Sequence, residues 1–266
     1  MVSYYWLKRP KGKRQIENTL LLEEIGEIHK DSKMVYGSPR IAAKLTEKGF
    51  RVSRPRVARI MRKAGIQSII RKKWVKTTDS DHMHPLAENV LNRDFSVANL
   101  GEKWVSDLTY IRTEAGWVYL TIVIDLADRK VIGWSLSDNM EAKSTTVSAF
   151  QMAKANRAIG ERLIFHSDQG VQYACLEFRQ QLMGLPIIQS MSRKGNCWDN
   201  AVAESFFKTM KTEMVYHRTF KTKKQAYLEI FEYIEAWYNR KRSHSSLGYL
   251  TPVDVEHMIM NKKRAA

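Results

Sequence analysis

The chain has 266 residues, 44% of them hydrophobic and 10% aromatic, with a net charge of +16. That length buries a sizeable core, and the composition excludes a disordered or low-complexity chain. No apolar run nears the ~18–20 residues that cross a bilayer and no signal peptide opens the chain; two cysteines, Cys175 and Cys197, make neither a disulfide scaffold nor a four-ligand zinc site, so the expectation is a reduced, cytoplasmic protein without a membrane partner.

The first quarter of the chain predicts a small helical domain. Leu20, Leu21, Ile25 and Ile28 recur at helical spacing within Ile16 to His29. Ser38-Pro39 reads as a cap and a first-turn proline, and that second helix stops at Gly49. Ser53 caps a third helix, with Pro55 in its first turn and Gly65 at its end. On this helix Val57, Ile60, Met61 and Ala64 share one face by the 100° step, whereas Arg56, Arg59, Arg62 and Lys63 fall on the other. Residues 1–76 carry 20 Lys and Arg against 6 Asp and Glu; residues 77–266 carry 24 against 22. A solubility charge would be spread out. Its concentration here, on a helix-turn-helix pattern, points to a nucleic acid; a merely solvated basic face is the plain alternative.

Residues 71–95 show no sustained periodicity and read as a linker, in which His82 and His84 lack the companions a metal site needs. From Lys103 the texture changes. Trp104 to Ile111, Trp117 to Leu126 and Lys130 to Leu136 read as three strands joined by short turns, an antiparallel meander. Glu141–Ala158 reads as a helix, 163–168 as a strand, 176–183 as a helix and 187–191 as a strand. Two long helices follow, 200–215 and 222–242. The order predicts an α/β layered domain with a mixed sheet.

Three carboxylates stand out. Asp107 interrupts an otherwise apolar and aromatic strand, where a carboxylate is costly unless paired, hydrogen-bonded or metal-bound. Asp168 ends a strand before Gln169-Gly170, where ligands sit in α/β sheets. Glu204 lies one turn into a helix that Asp199-Asn200 can cap, with 35 residues between it and Asp168. Converging, the three would supply the hard oxygen ligands that two-metal phosphoryl transfer requires. Singly, each has an ordinary reading: a lysine partner for Asp107, a turn for Asp168, an i,i+4 pair with Lys208 for Glu204. Asp125, at the end of its own apolar strand, is the rival for the first position and reads better as a turn former. His166 reads as a structural imidazole, Cys197 as a small loop residue and Trp198 as a packing aromatic. Arg193 and Lys194 sit in a glycine-containing loop suited to phosphate contact.

The segments 104–110 (WVSDLTY), 166–173 (HSDQGVQY) and 190–207 (SMSRKGNCWDNAVAESFF) resemble, in order, the signature segments of transposases of a bacterial insertion-sequence family, the second-frame or OrfB-type proteins. Residues 238–252 (YNRKRSHSSLGYLTP) are similar to that family's closing motif. These transposases are relatives of retroviral integrases with a DDE triad on an RNase H-like fold. The resemblance implies domains at 1–70 (helix-turn-helix), 96–256 (RNase H-like core) and 257–266 (basic tail). It implies that Asp107, Asp168 and Glu204 bind two Mg²⁺, with Mn²⁺ as a substitute, and that Lys211, on the helix face of Glu204 and Lys208, touches the element's terminal DNA. Insertion-sequence ends and target DNA, a homo-oligomer on DNA, and an upstream-frame protein or frameshift fusion are the implied partners. The opening Tyr4-Tyr5-Trp6 resembles the interior of a longer family sequence. The zinc-binding domain of retroviral integrases has no counterpart in the His and Cys spacing. A nuclease of the same fold and a catalytically silent DNA-binding regulator are the competing readings.

Overall fold

The computed structural model describes residues 12–69 and 85–265, with the side chains of Cys197 and Ala265 left aside. The Tyr4-Tyr5-Trp6 opening, His82 and His84 lie outside the described residues. The chain divides into two compact units between Arg71 and Lys72.

The first unit contains α1 (Lys13–Asp31), α2 (Ser38–Glu47) and α3 (Arg54–Lys63). Leu21, Ile25 and Ile28 of α1 pack with Ile41, Ala42 and Leu45 of α2 and Val57 and Met61 of α3 as its buried core. Three of the four residues expected on the inner face of α1 are therefore in the core, and only Leu20, half-exposed, falls outside it. Gly37, not Ser38, occupies the cap position of α2, with proline in the first turn, and Ser53 caps α3 without a side-chain bond. Gly49 and Gly65 take left-handed backbone just past α2 and α3, which is why both helices stop there. On α3, Ala64 is exposed and only Val57 and Met61 are fully buried.

The second unit is a five-stranded mixed sheet covered by helices. Its strands are β1 (Lys103–Thr113), β2 (Gly116–Asp125), β3 (Val131–Ser137), β4 (Leu163–Ser167) and β5 (Ile187–Met191), in the order β3-β2-β1-β4-β5. The meander β1-β2-β3 is antiparallel, and β4 and β5 run parallel to β1. Helix α4 (Ser148–Asn156) is entered through a π-helical turn, Lys143–Val147. Short α5 (Val171–Ala174) and α6 (Leu176–Leu182) link β4 to β5, and α7 (Ala201–Glu213) follows a 3₁₀ turn, Cys197–Asn200. Helix α8 (Lys223–Phe231) continues as a π-helical segment, Glu232–Tyr238. The stretch 257–266, expected as a basic tail, is helical to Ala265 in α9 (Pro252–Ala265). Thr251 and Asp254 exchange hydrogen bonds of 3.0 and 3.2 Å through each other's backbone N–H, a capping box at its start.

The core of this unit is aromatic. Phe150 of α4, Phe165 of β4, Phe178 of α6 and Tyr173 meet with ring centroids 5.4–6.4 Å apart, beside fully buried Trp104. Residues 88–94, within the expected linker, are bound into this unit. Leu91 is buried, Ser190 Oγ accepts from the N–H groups of Val90 and Leu91, and Met191 N donates to Glu88 O.

Helix α4 comes so close to β3 at Gly133 that a Cβ there would lie 2.3 Å from Ala149 O and 2.5 Å from Ala153 N. Both are backbone atoms, so the helix itself would have to shift. Gly133→Ala is expected to lower unfolding stability by about 1–3 kcal/mol, read as a drop in denaturation midpoint with unchanged slope. A stability equal to the parent's would place the helix farther from the sheet.

Candidate active site and nucleic-acid interface

Strand pairing explains how Asp107 comes to face a helix. β4 pairs with β1 only from Lys103 to Val105, so beyond that point the β4-side edge of β1 is open, and α7 packs against β1. Asp107 lies just past the last paired residue, opposite Ile122 of β2. Its Oδ1 accepts from Leu108 N at 2.9 Å. Burial pushes its carboxyl well above the usual carboxylate range; the charges of Asp168 and Glu204 push the same way, against the N–H of Leu108 and the charge of Lys211.

Asp168 leaves β4 at its carboxyl end, where its Oδ1 accepts from Gly170 N at 3.0 Å in a tight turn. Glu204 projects from the first turn of α7, exposed, and burial followed by Asp168's charge raises its carboxyl too. Asp107 and Glu204 thus both feel Asp168, and Asp107 also feels Glu204. Among the described residues no three of His, Cys, Asp and Glu stand close enough together to hold a metal ion as they are placed.

The ends of α7 are anchored by residues whose partners the sequence does not reveal. At its start Asn200 Nδ2 donates to Ser106 O at 2.9 Å, one residue before Asp107, while its buried Oδ1 has no hydrogen-bond donor. Ser106 Oγ in turn donates to Ile122 O and shares a 2.7 Å hydrogen bond with the buried Tyr173 hydroxyl. Asp199 does not cap the helix as expected. Its buried carboxylate accepts from the guanidinium of Arg193 at 2.7–2.8 Å, from Arg93 at 2.7 Å and from Asn89 at 2.9 Å. The Arg193 hydrogen bonds, with help from Arg93, hold Asp199 well below the usual carboxylate range. At the far end Glu213 receives Arg242 at 2.8–3.0 Å and the Tyr233 hydroxyl at 3.0 Å, all buried. Arg242 belongs to the closing motif, as does Asn239, whose amide bonds both the N–H and the C=O of Val131 at 3.0 Å. That motif ties α7 and β3 to the C-terminal segment.

The structure separates the other sequence candidates. Lys211 Nζ donates to Thr109 Oγ1 at 2.7 Å and lies 5.5 Å from the Tyr110 ring centroid, so it packs on β1 beside Asp107. Lys208 and Lys194 are exposed. Arg193 is engaged with Asp199, so its first role here is to brace the loop before α7. Asp125 is fully buried, accepting from Gly101 N (2.8 Å), Ala127 N (3.0 Å), Trp104 Nε1 (3.3 Å) and Arg157 (3.0 Å). Arg157 also reaches Asp128 at 2.7 Å and Glu256 of α9 at 2.8 Å. The rival carboxylate is therefore one member of a buried ion cluster, centred on Arg157, that joins β2, the end of α4 and α9. His166 is buried between Ser190 (2.8 Å) and Ser192 (3.1 Å), and burial lowers its pKa to about 4, so it stays neutral. Trp198 is 69% exposed, contrary to the packing role expected for it, because it sits on the 3₁₀ turn at the surface.

In the helical unit, Arg56 is not simply an outward cation. It donates to Asn18 at 2.9 and 3.0 Å and to Glu17 at 2.8 Å, joining α3 to α1. Arg59, Arg62 and Lys63 are exposed. Arg14, Asn18, Arg56, Arg59, Ile60 and Lys63 line a notch of about 130 Å³. Arg14 gives no signal in the sequence because α1 carries no strong amphipathic pattern.

Comparison with known proteins places both units. A family model described as an HTH-like domain matches residues 15–74, and two described as integrase core domains match 99–197 and 204–260. The chain is 38% identical over 226 residues to transposase InsF of insertion sequence IS3A from Escherichia coli, covering 85% of this chain and 78% of that protein. It is 36% identical to the transposase of element IS904 from Lactococcus lactis, covering 94% and 98%. A 31 kDa protein of element IS600 from Shigella sonnei is 37% identical, over 94% of this chain and 91% of its own. Among solved structures, a simian T-cell lymphotropic virus intasome shares the fold, with TM-score 0.50 and 12% identity over 88% of this chain and 74% of that one. The fold and its matches define an RNase H-like integrase core preceded by a helical HTH-like domain. The chain belongs to the transposases of bacterial insertion sequences.

The two kinds of arginine on α3 differ in what their removal should do. Arg56→Ala is expected to lower stability by about 1 kcal/mol, mostly through the Asn18 bonds, since Glu17 is well exposed. Arg59→Ala with Arg62→Ala should leave the melting temperature unchanged while flattening the slope of log K against log salt for DNA by up to ~0.9 for each phosphate that is no longer neutralised. An unaltered slope would remove these two arginines from the interface.

Proposed function

We propose that this transposase cleaves the ends of an insertion sequence and joins them to target DNA by phosphoryl transfer at Asp107, Asp168 and Glu204. The observation that carries the reading is the placement of three carboxyls, from a strand interior, a strand end and a helix start, near enough that Asp168's charge adds to burial in raising both Asp107 and Glu204. Family membership supports it, as does the assignment of the rival Asp125 to the Arg157 cluster.

The donor set suits hard divalent cations: the three side chains offer only oxygen, His166 is bound to two serines, and the orphaned Asn200 Oδ1 adds a buried acceptor beside β1. In this reading Asp107, Asp168 and Glu204 hold two Mg²⁺, or Mn²⁺ in their place. Bound there, the ions would neutralise charge on the phosphate, the attacking oxygen and the leaving oxygen. The chain's own contribution is positional. Asn200 and Glu213 hold α7 so that Glu204 and Lys211 address Asp107 from one side. Lys211 balances negative charge next to Asp107. In cleavage a water oxygen bonds to phosphorus as the P–O3′ bond breaks, and the departing oxygen takes a proton. In joining, the freed 3′-hydroxyl replaces water. DNA is held through Arg59, Arg62 and Lys63 in the helical unit and through Lys194, Lys208 and Lys211 in the core, in a homo-oligomer on the paired ends.

Glu204→Gln, Asp107→Asn and Asp168→Asn should each reduce cleavage and strand transfer in Mg²⁺ by at least ~10³-fold, because the triad acts as a unit, with DNA binding retained in a filter or anisotropy assay. Full activity of Glu204→Gln would overturn the assignment. Cleavage without joining to a supplied 3′-hydroxyl end would make the protein a nuclease.

A further inference from the structure

The tip of the β1–β2 hairpin carries a feature that phosphoryl transfer does not use. Tyr110 and Trp117 are 39% and 46% exposed, although both rings sit beside a buried sheet. Cross-strand register explains their meeting. Arg112 pairs directly with Trp117 and Tyr110 with Tyr119, which makes Tyr110 and Trp117 diagonal neighbours on one face. Their centroids are 5.2 Å apart in an edge-to-face arrangement. Each ring also has a cation over it: Arg112 at 6.0 Å from the Trp117 centroid and Lys211 at 5.5 Å from that of Tyr110.

A hairpin needs no such ornament at its tip, since an aromatic pair of this kind adds only about 0.5–1.5 kcal/mol. Partly exposed aromatic rings with cations beside them are what single-stranded nucleic acid binds, the rings stacking bases and the cations following the phosphates. Position gives the platform its purpose. Asp107 and Tyr110 are three residues apart on one strand, roughly 10 Å, on alternate faces of the sheet, and Lys211 is the residue that reaches both sides. Lys211 contacts the Tyr110 ring and Thr109 and also acts electrostatically on Asp107. We propose that Tyr110 and Trp117, flanked by Arg112 and Lys211, form a stacking platform for an unpaired base of the DNA strand next to the phosphate being cut. The occupant is a frayed or flanking nucleotide, not duplex DNA, because bases inside a duplex are stacked on both faces. The inference rests on the DNA-cutting role proposed above and adds the requirement that the strand be unpaired at that point.

The test uses the full chain in EDTA, so that only binding is read, with duplex probes carrying a short single-stranded overhang in which one base is 2-aminopurine. The expected result is strong quenching of that fluorophore by the parent protein, and an affinity for the overhang over the blunt duplex that falls about tenfold or more in Trp117→Ala and Tyr110→Ala. Trp117→Phe should retain most of it, and circular dichroism confirms the fold of each variant. The proposal is overturned if the parent gives no quenching. It is overturned equally if the alanine variants keep both quenching and overhang preference, or if they change only the sedimentation coefficient, which would mark the face as a contact between copies of the chain. Asp107→Asn separates the two readings. Quenching that persists while cleavage disappears supports both; retained cleavage in that variant refutes the triad while leaving the platform to stand on its own signal.

Discussion

Keeping a carboxyl at Asp107, where burial and neighbouring negative charge both penalise it, is the constraint on which the integrase-core unit is built. Burial is the larger penalty, and the charges of Asp168 and Glu204 add to it. A carboxylate in that situation stays in place only if the chain around it is fixed by interactions worth more. The structure supplies them on every side: the two-sided pairing of β1 up to Val105, its continued pairing with β2, and the anchoring of both ends of α7.

The anchors share one chemistry, an arginine gripping buried carboxylates. Arg157 binds Asp125, Asp128 and Glu256; Arg242 binds Glu213; Arg193 and Arg93 bind Asp199. Burial raises Asp128 to about 6 even with Arg157 beside it. Such groups are weak contributors when formed but costly to break, at about 3–5 kcal/mol for removal of one buried partner. They therefore act as registry devices. One fixes the β2–β3 turn against α4 and α9, one fixes the far end of the helix bearing Glu204, and one fixes the loop entering it. The closing motif thereby has a physical role, since Asn239 and Arg242 connect the last quarter of the chain to β3 and α7.

Most of this architecture is legible in the sequence. The meander, the two later strands and the positions of α6 and β5 follow from short apolar runs and the turns between them, and α7 from its apolar face at Phe206 and Met210. What escapes is polar. Arg157, Glu213 and Arg242 look like ordinary solvated helix residues until the fold buries them, and Asp199 looks like a cap until Arg193 folds back onto it. The α1 face is ambiguous because Leu20, Leu21 and Leu22 are consecutive and spacing alone cannot choose among them. Helix α9 reads as a tail because Lys262, Lys263 and Arg264 dominate its end, although Thr251-Pro252-Val253-Asp254 carries a start signal. Trp198 reads as a packing residue because tryptophan usually is one; its 69% exposure reflects the turn it stands on.

The central claim is that Asp107 is held against repulsion for the sake of a divalent cation, and melting temperature reports on it most directly. Measured on the full chain in EDTA at neutral pH, Asp107→Asn should melt higher than the parent, because an amide removes the buried charge while keeping the bond from Leu108 N. Added Mg²⁺ should raise the parent's melting temperature and leave that of Asp107→Asn unchanged. A lower melting temperature for Asp107→Asn in EDTA, together with a parent indifferent to Mg²⁺, would contradict the account.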